Sequence, residues 1–99
     1  MFEKFDFTPG RVTQNDFPIE EDILLNEDND ELKEDMLQVV YPQNYTLDVG
    51  WYSGIKKFIV FVVKDYNWEE PIVKIICEDI EGVKKEVLKG ISIIRKCID

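Results

Sequence analysis

Phe58-Ile59-Val60-Phe61-Val62-Val63 is an unbroken apolar run held between Lys57 and Lys64. Six residues are too few for a globular helix, and β-branched and aromatic side chains dominate. The run therefore reads as a central strand covered on both faces. Working upstream, Tyr45, Leu47, Val49 and Trp51 fall on one face of a preceding strand, with Thr46, Asp48, Gly50 and Tyr52 on the other. Ser53-Gly54 marks the turn between the two strands. Before that, Leu37, Val39 and Tyr41 alternate with Gln38 and stop at Pro42-Gln43-Asn44, a tight turn. Downstream, Asp65 to Glu70 forms a connection and Pro71 opens a fourth strand. There Val73, Ile75 and Cys77 alternate with Lys74 and Glu78 at the outward positions.

Asp79 is placed to cap a C-terminal helix in which Ile80, Val83, Val87, Ile91, Ile94 and Ile98 recur at threes and fours. Short turns make neighbouring strands antiparallel. The expected fold is α+β in one domain: an antiparallel β-meander of about four strands over 36–78, with a C-terminal helix over 79–98 packed on one face. A short, partly helical acidic N-terminal segment occupies 1–35. Within it, Phe5 and Phe7 alternate with charged residues as a short edge strand would. Pro18 suits the first turn of a short helix, and Asp30 caps a second turn through Leu32 and Met36. Because the central strand is apolar on both sides, the face opposite the helix also needs cover. The N-terminal segment is the expected cover, and a second copy of the chain is the alternative.

The charge is segregated. Of the net −9, all is carried between Asp16 and Asp35, where ten acids face the single Lys33; outside it eleven acids balance eleven bases. Such a field repels phosphate backbones, attracts cationic partners and speeds their association. A basic protein is thus the expected partner, with no direct nucleic-acid binding. A solvated loop that only aids solubility is the plainer alternative.

The chain has no histidine. This excludes Ser-His-Asp and Cys-His nucleophile pairs and every His-containing zinc site, leaving carboxylate, lysine or tyrosine chemistry. Asn26 to Asp35 has acids spaced like early EF-hand ligands, but it lacks the turn glycine and contains Lys33. No apolar pocket singles out a carboxylate pair for acid-base work, and neither Gly50 nor Gly54 begins a phosphate loop. The expectation is a non-enzyme with no cofactor and no metal. Cys77 and Cys97 form neither a disulfide framework nor a CxxC motif and read as buried reduced thiols. The first twenty residues lack the pattern of a secretory signal, and no run is long and apolar enough for a membrane span, so a cytoplasmic, membrane-independent protein is expected.

The candidate partner-binding residues are Glu20, Glu21, Asp22, Glu27, Asp28, Asp30, Glu31, Glu34 and Asp35, joined by two aromatics. Trp68 lies on a connection, and Tyr52 points to the face away from Trp51, which belongs with the core.

The stretch Asp35-Met36-Leu37-Gln38-Val39-Val40-Tyr41-Pro42, followed by Leu47-Asp48-Val49-Gly50-Trp51-Tyr52 and later Trp68-Glu69-Glu70-Pro71, resembles small bacterial immunity proteins. These belong to contact-dependent inhibition and other polymorphic toxin systems, and the likeness covers roughly residues 35 to 98. It implies tight binding to a cognate toxin domain, often a nuclease, whose active site or substrate surface the inhibitor covers. It transfers no catalytic residue. The competing expectations are a homo-oligomeric interaction or regulatory domain, an acidic DNA-mimic inhibitor and a histidine-free enzyme. The free protein is expected to be a monomer or homodimer.

Overall fold

The computed structural model describes residues 2, 5–16 and 36–98. They form a five-stranded antiparallel sheet in sequential order, β1 (Arg11–Asn15), β2 (Leu37–Tyr41), β3 (Tyr45–Tyr52), β4 (Lys57–Lys64) and β5 (Val73–Cys77). One helix, α1 (Ile80–Ile98), packs across β3, β4 and β5. The α+β meander with its C-terminal helix is thus the observed fold, with five strands rather than four.

The uncounted strand is β1, and its sequence explains why. Arg-Val-Thr-Gln-Asn has a single apolar residue, Val12, which is itself exposed, so no alternation announces it. Backbone pairing makes it a strand, with Arg11 opposite Val40 and Asn15 opposite Leu37 across a bulge between Val12 and Gln14. The alternation of Phe5 and Phe7 produces no strand. Phe2, Phe5 and Phe7 instead stack as an aromatic cluster, with Phe2 and Phe5 edge to face at 5.0 Å between ring centres. The short helical turns expected around Pro18 and Asp30 lie outside the described residues.

Register divides the side chains of the sheet. Leu47 faces Val62, Val49 faces Val60 and Leu37 faces Val49, all buried beneath α1. From the helix come Val83, Val87, Ile91 and Ile94, the stripe read from the sequence, with Ile80 and Ile98 packed at its ends. Gly90 lies on the same side, where an added Cβ would stand 2.9 Å from Leu47 Cδ1, so the small residue lets helix and sheet approach closely. Asp79 caps the helix as expected: Gly82 N–H donates to its carboxylate at 2.7 Å. The turn after β2 places Gln43 and Asn44 in the left-handed region, at φ 64° and 63°. Their side chains hold it there, Gln43 Nε2 donating to the Ile98 carbonyl at 3.3 Å and Asn44 Nδ2 to Asp65 Oδ1 at 3.3 Å.

The described part of the N-terminal segment covers the helix side of the sheet rather than the opposite side. Phe2 and Phe7 join the same core as Val39, Tyr41 and the helix stripe. Arg95 fastens them there, Nε donating to the Thr8 carbonyl at 2.8 Å and Nη2 to the Asp6 carbonyl at 3.0 Å. The reason is length: α1 covers β3 to β5, and the buried side chains of β2 need another apolar cover on that side. On the far face Thr46, Asp48, Ile59 and Val63 are buried too, while Ile76 on the same face is exposed.

Gly10 sits where the N-terminal strap crosses Val39 and Tyr41. A Cβ there would lie 2.6 Å from Tyr41 Cζ and 2.7 Å from Val39 Cγ1. Gly10→Ala is expected to lower stability by about 2 kcal/mol, because neither neighbour can retreat within a filled core. Urea denaturation of the two proteins measures the difference.

Candidate partner-binding surface

The site grows from the β3–β4 hairpin. Tyr52 and Lys57 pair at its base, and the tip is closed by Ile55 N–H donating to the Tyr52 carbonyl at 3.2 Å and Lys56 N–H to the Ser53 carbonyl at 3.3 Å. Lys56 takes a left-handed conformation, which turns the chain back and leaves Ile55 standing 48% exposed. The two-residue period then sends Tyr52, Ile59 and Phe61 to the face opposite the helix, with Lys74 and Ile76 from β5 beside them. Tyr52, Ile55, Ile59, Lys74 and Ile76 line a shallow cleft of about 420 Å³.

A row of aromatic rings adjoins the cleft. Tyr52 and Phe61 meet edge to face at 6.1 Å between centres, and Phe61 meets Trp68 in the same manner at 5.9 Å. Trp68 reaches this position from the loop after β4, in which Asp65 and Tyr66 adopt left-handed conformations and Asn67 N–H donates to the Lys64 carbonyl at 3.1 Å. The ring therefore folds back onto the sheet and still shows 45% of its surface to solvent. Trp51, on the other face, is partly buried against the core and Phe58. The structure thus unites the two aromatic candidates, Tyr52 and Trp68, through Phe61, which joins them. Ile55, Phe61, Lys74 and Ile76 are additions to the sequence reading. The signal for them was present in register: an apolar residue at an outward position of β5, and Phe61 directly opposite Lys74.

Glu20, Glu21, Asp22, Glu27, Asp28, Asp30, Glu31, Glu34 and Asp35 lie outside the described residues. Where the chain leaves and returns is described. Asp16 N–H donates to the Met36 carbonyl at 2.7 Å, and Met36 N–H to the Val49 carbonyl at 3.1 Å, so the acidic segment is anchored beside Val49. Tyr52 is three residues further along the same strand, roughly 10 Å away at strand rise. The anchor and Tyr52 thus share one end of the sheet, while Trp68 enters the row from the connection at the opposite end.

Among the described residues no group of three or more Cys, Asp or Glu is placed to hold a metal ion, and no helix is long and apolar enough to cross a membrane. Perturbed titrations belong to the core. Burial pushes the Cys77 thiol up to about 11, with Glu86 and Asp79 adding to the rise, and burial pushes the Tyr41 phenol up to about 12 against the pull of Arg95. Asp6 is held below the usual carboxylate range first by the Thr8 hydroxyl and amide and also by Arg95. The two thiols differ. Cys77 is buried as expected, whereas Cys97 is exposed, because it lies beside rather than on the stripe that faces the sheet.

These groups give two expectations. A maleimide reagent at neutral pH should label Cys97 while leaving Cys77 untouched, as peptide mass spectrometry would show. Cys77 and Tyr41 bind their protons more tightly when folded than at their ordinary values of 9.0 and 10.0, so the unfolded chain releases them first as pH rises. The stability that these two groups contribute should therefore be constant up to pH 9 and fall between 9 and about 12 in thermal melts. The Tyr41 hydroxyl is also buried with no hydrogen-bond partner among the described residues. Tyr41→Phe should accordingly gain about 1 kcal/mol at neutral pH and lose part of the alkaline decline.

Comparison with known proteins gives no match to a family model, to a curated protein or to a solved structure.

Proposed function

We propose that this protein is a non-catalytic inhibitor that binds a basic toxin domain, with a nuclease as the preferred target, and covers its active site or substrate surface. The observation that carries the reading is the row Tyr52, Phe61 and Trp68, in which Trp68 is exposed and Tyr52 and Phe61 are half-buried, set beside the exposed Ile55 and Ile76 on one sheet face. Rigid aromatics with adjacent aliphatic surface are the usual anchors of protein interfaces. The anchor of the segment that carries the whole net charge lies near the Tyr52 end of this row, so a partner that spans the row can meet both. A nuclease must present cations to phosphate, and an acidic segment competes for that surface while accelerating encounter. The likeness to immunity proteins supports the same role, and cytoplasmic residence goes with it.

The test is co-expression with the product of the adjacent upstream gene, purification at low salt and identification of the bound protein. A basic toxin domain that is released as salt rises supports the proposal, and recovery of the chain without a basic partner overturns it. With the complex in hand, Trp68→Ala should raise the dissociation rate roughly tenfold or more. Reversal of Glu20, Glu21 and Asp22 to Lys should slow association, by a factor that shrinks as salt is added. Surface plasmon resonance separates the two rates.

A further inference from the structure

The two edges of the sheet differ in kind. β1 carries the devices that keep an edge from pairing: a bulge, one exposed valine, and polar Arg11, Thr13, Gln14 and Asn15. Of such devices β5 has only Lys74 along its length. Its ladder with β4 is unbroken from Phe58 opposite Cys77 to Val62 opposite Val73, it holds no proline, and its one charge is Lys74. Ile72, Ile75 and Ile76 are exposed at 48%, 37% and 55%. Among the described residues β4 alone pairs with β5, so alternate N–H and C=O groups of β5 point to an open edge. A regular, apolar, uncovered edge is a template for a further strand.

We infer that the occupant is β5 of a second copy, paired antiparallel about a twofold axis at Ile76 to give one continuous ten-stranded sheet. The sequence is self-complementary in that register. Lys74 falls opposite Glu78 of the second copy at two symmetric places, Ile75 opposite Cys77, and Ile76 opposite its own counterpart. Lys74 projects on the same face as Ile76, and Glu78, in the bend just past β5, is highly exposed and meets Lys57 of that face at 3.8 Å. Pairing about Lys74 would oppose like charges instead. The joined edges bring the two Ile76-lined clefts side by side and leave the rings of Trp68 on the open face. The dimer seam shares Lys74 and Ile76 with the candidate cleft and leaves Trp68 outside it.

Sedimentation equilibrium of the full chain without partner tests it. The expected species is a dimer, twice the 11.7 kDa chain. Lys74→Glu and Glu78→Lys each oppose like charges twice and should weaken the dimer roughly tenfold or more, while the double variant should restore it. All the changed side chains are exposed, and circular dichroism checks that folding is kept. Leu88→Lys, an equally exposed change on the outer side of α1, should leave the dimer intact. A monomer at every concentration overturns the inference, as does a dimer indifferent to both single reversals. Single reversals that weaken the dimer without rescue by the double variant overturn the register.

Discussion

Everything in this fold depends on β4 being buried from both sides. Phe58, Val60 and Val62 enter the core under α1, while Ile59 and Val63 are closed off on the far face. Burying a valine or isoleucine side chain is worth about 1.5 to 3 kcal/mol, so leaving either set wet would cost a large share of a small domain's net stability. The strands on either side of β4 and the helix above it follow as the cover that this strand requires.

The helix cannot meet that need alone. It spans β3 to β5, and Phe2, Phe5 and Phe7 complete the layer over β2. That strap has few backbone bonds of its own, and Arg95 supplies what holds it, donating to two carbonyls across most of the chain's length while facing the Asp6 carboxylate at 3.5 Å. An exposed ion pair by itself contributes little, so the two guanidinium-to-carbonyl bonds carry the attachment. The Gly10 crossing and the buried Tyr41 hydroxyl sit directly beneath it, which makes this corner the most tightly packed and the least satisfied part of the core.

On the far face the same alternation has a different use. Tyr52, Phe61 and Ile76 are set outward by the strand period that buries their neighbours, and the hairpin tip adds Ile55. A rigid sheet thus presents apolar and aromatic groups with little entropy left to lose on binding, which is the condition for a strong interface. The open edge of β5 borders the same surface, so pairing and partner recognition meet at Lys74 and Ile76.

The sequence by itself determined the α+β class, strands β2 to β5, the turn positions and the helix with its Asp79 cap. Each is written in a local period of two or 3.6 residues or in a residue with a fixed backbone preference. It also determined the charge segregation and the exclusion of histidine chemistry, which are matters of composition. Only the tertiary structure decided the rest. β1 exists because β2 offers it backbone partners, and nothing in Arg-Val-Thr-Gln-Asn requires a strand. Phe5 and Phe7 alternate as a strand would, yet the uncovered side of β1 and β2 gave them a core to enter. Cys97 differs from Cys77 by its angle around a helix whose buried face depends on the sheet. Tyr52 and Trp68 were legible as exposed aromatics, but their union through Phe61 came from the β4–β5 register and a left-handed turn at Asp65 and Tyr66. Local patterns fix which side chains can share a face, while contacts between distant segments fix which faces meet.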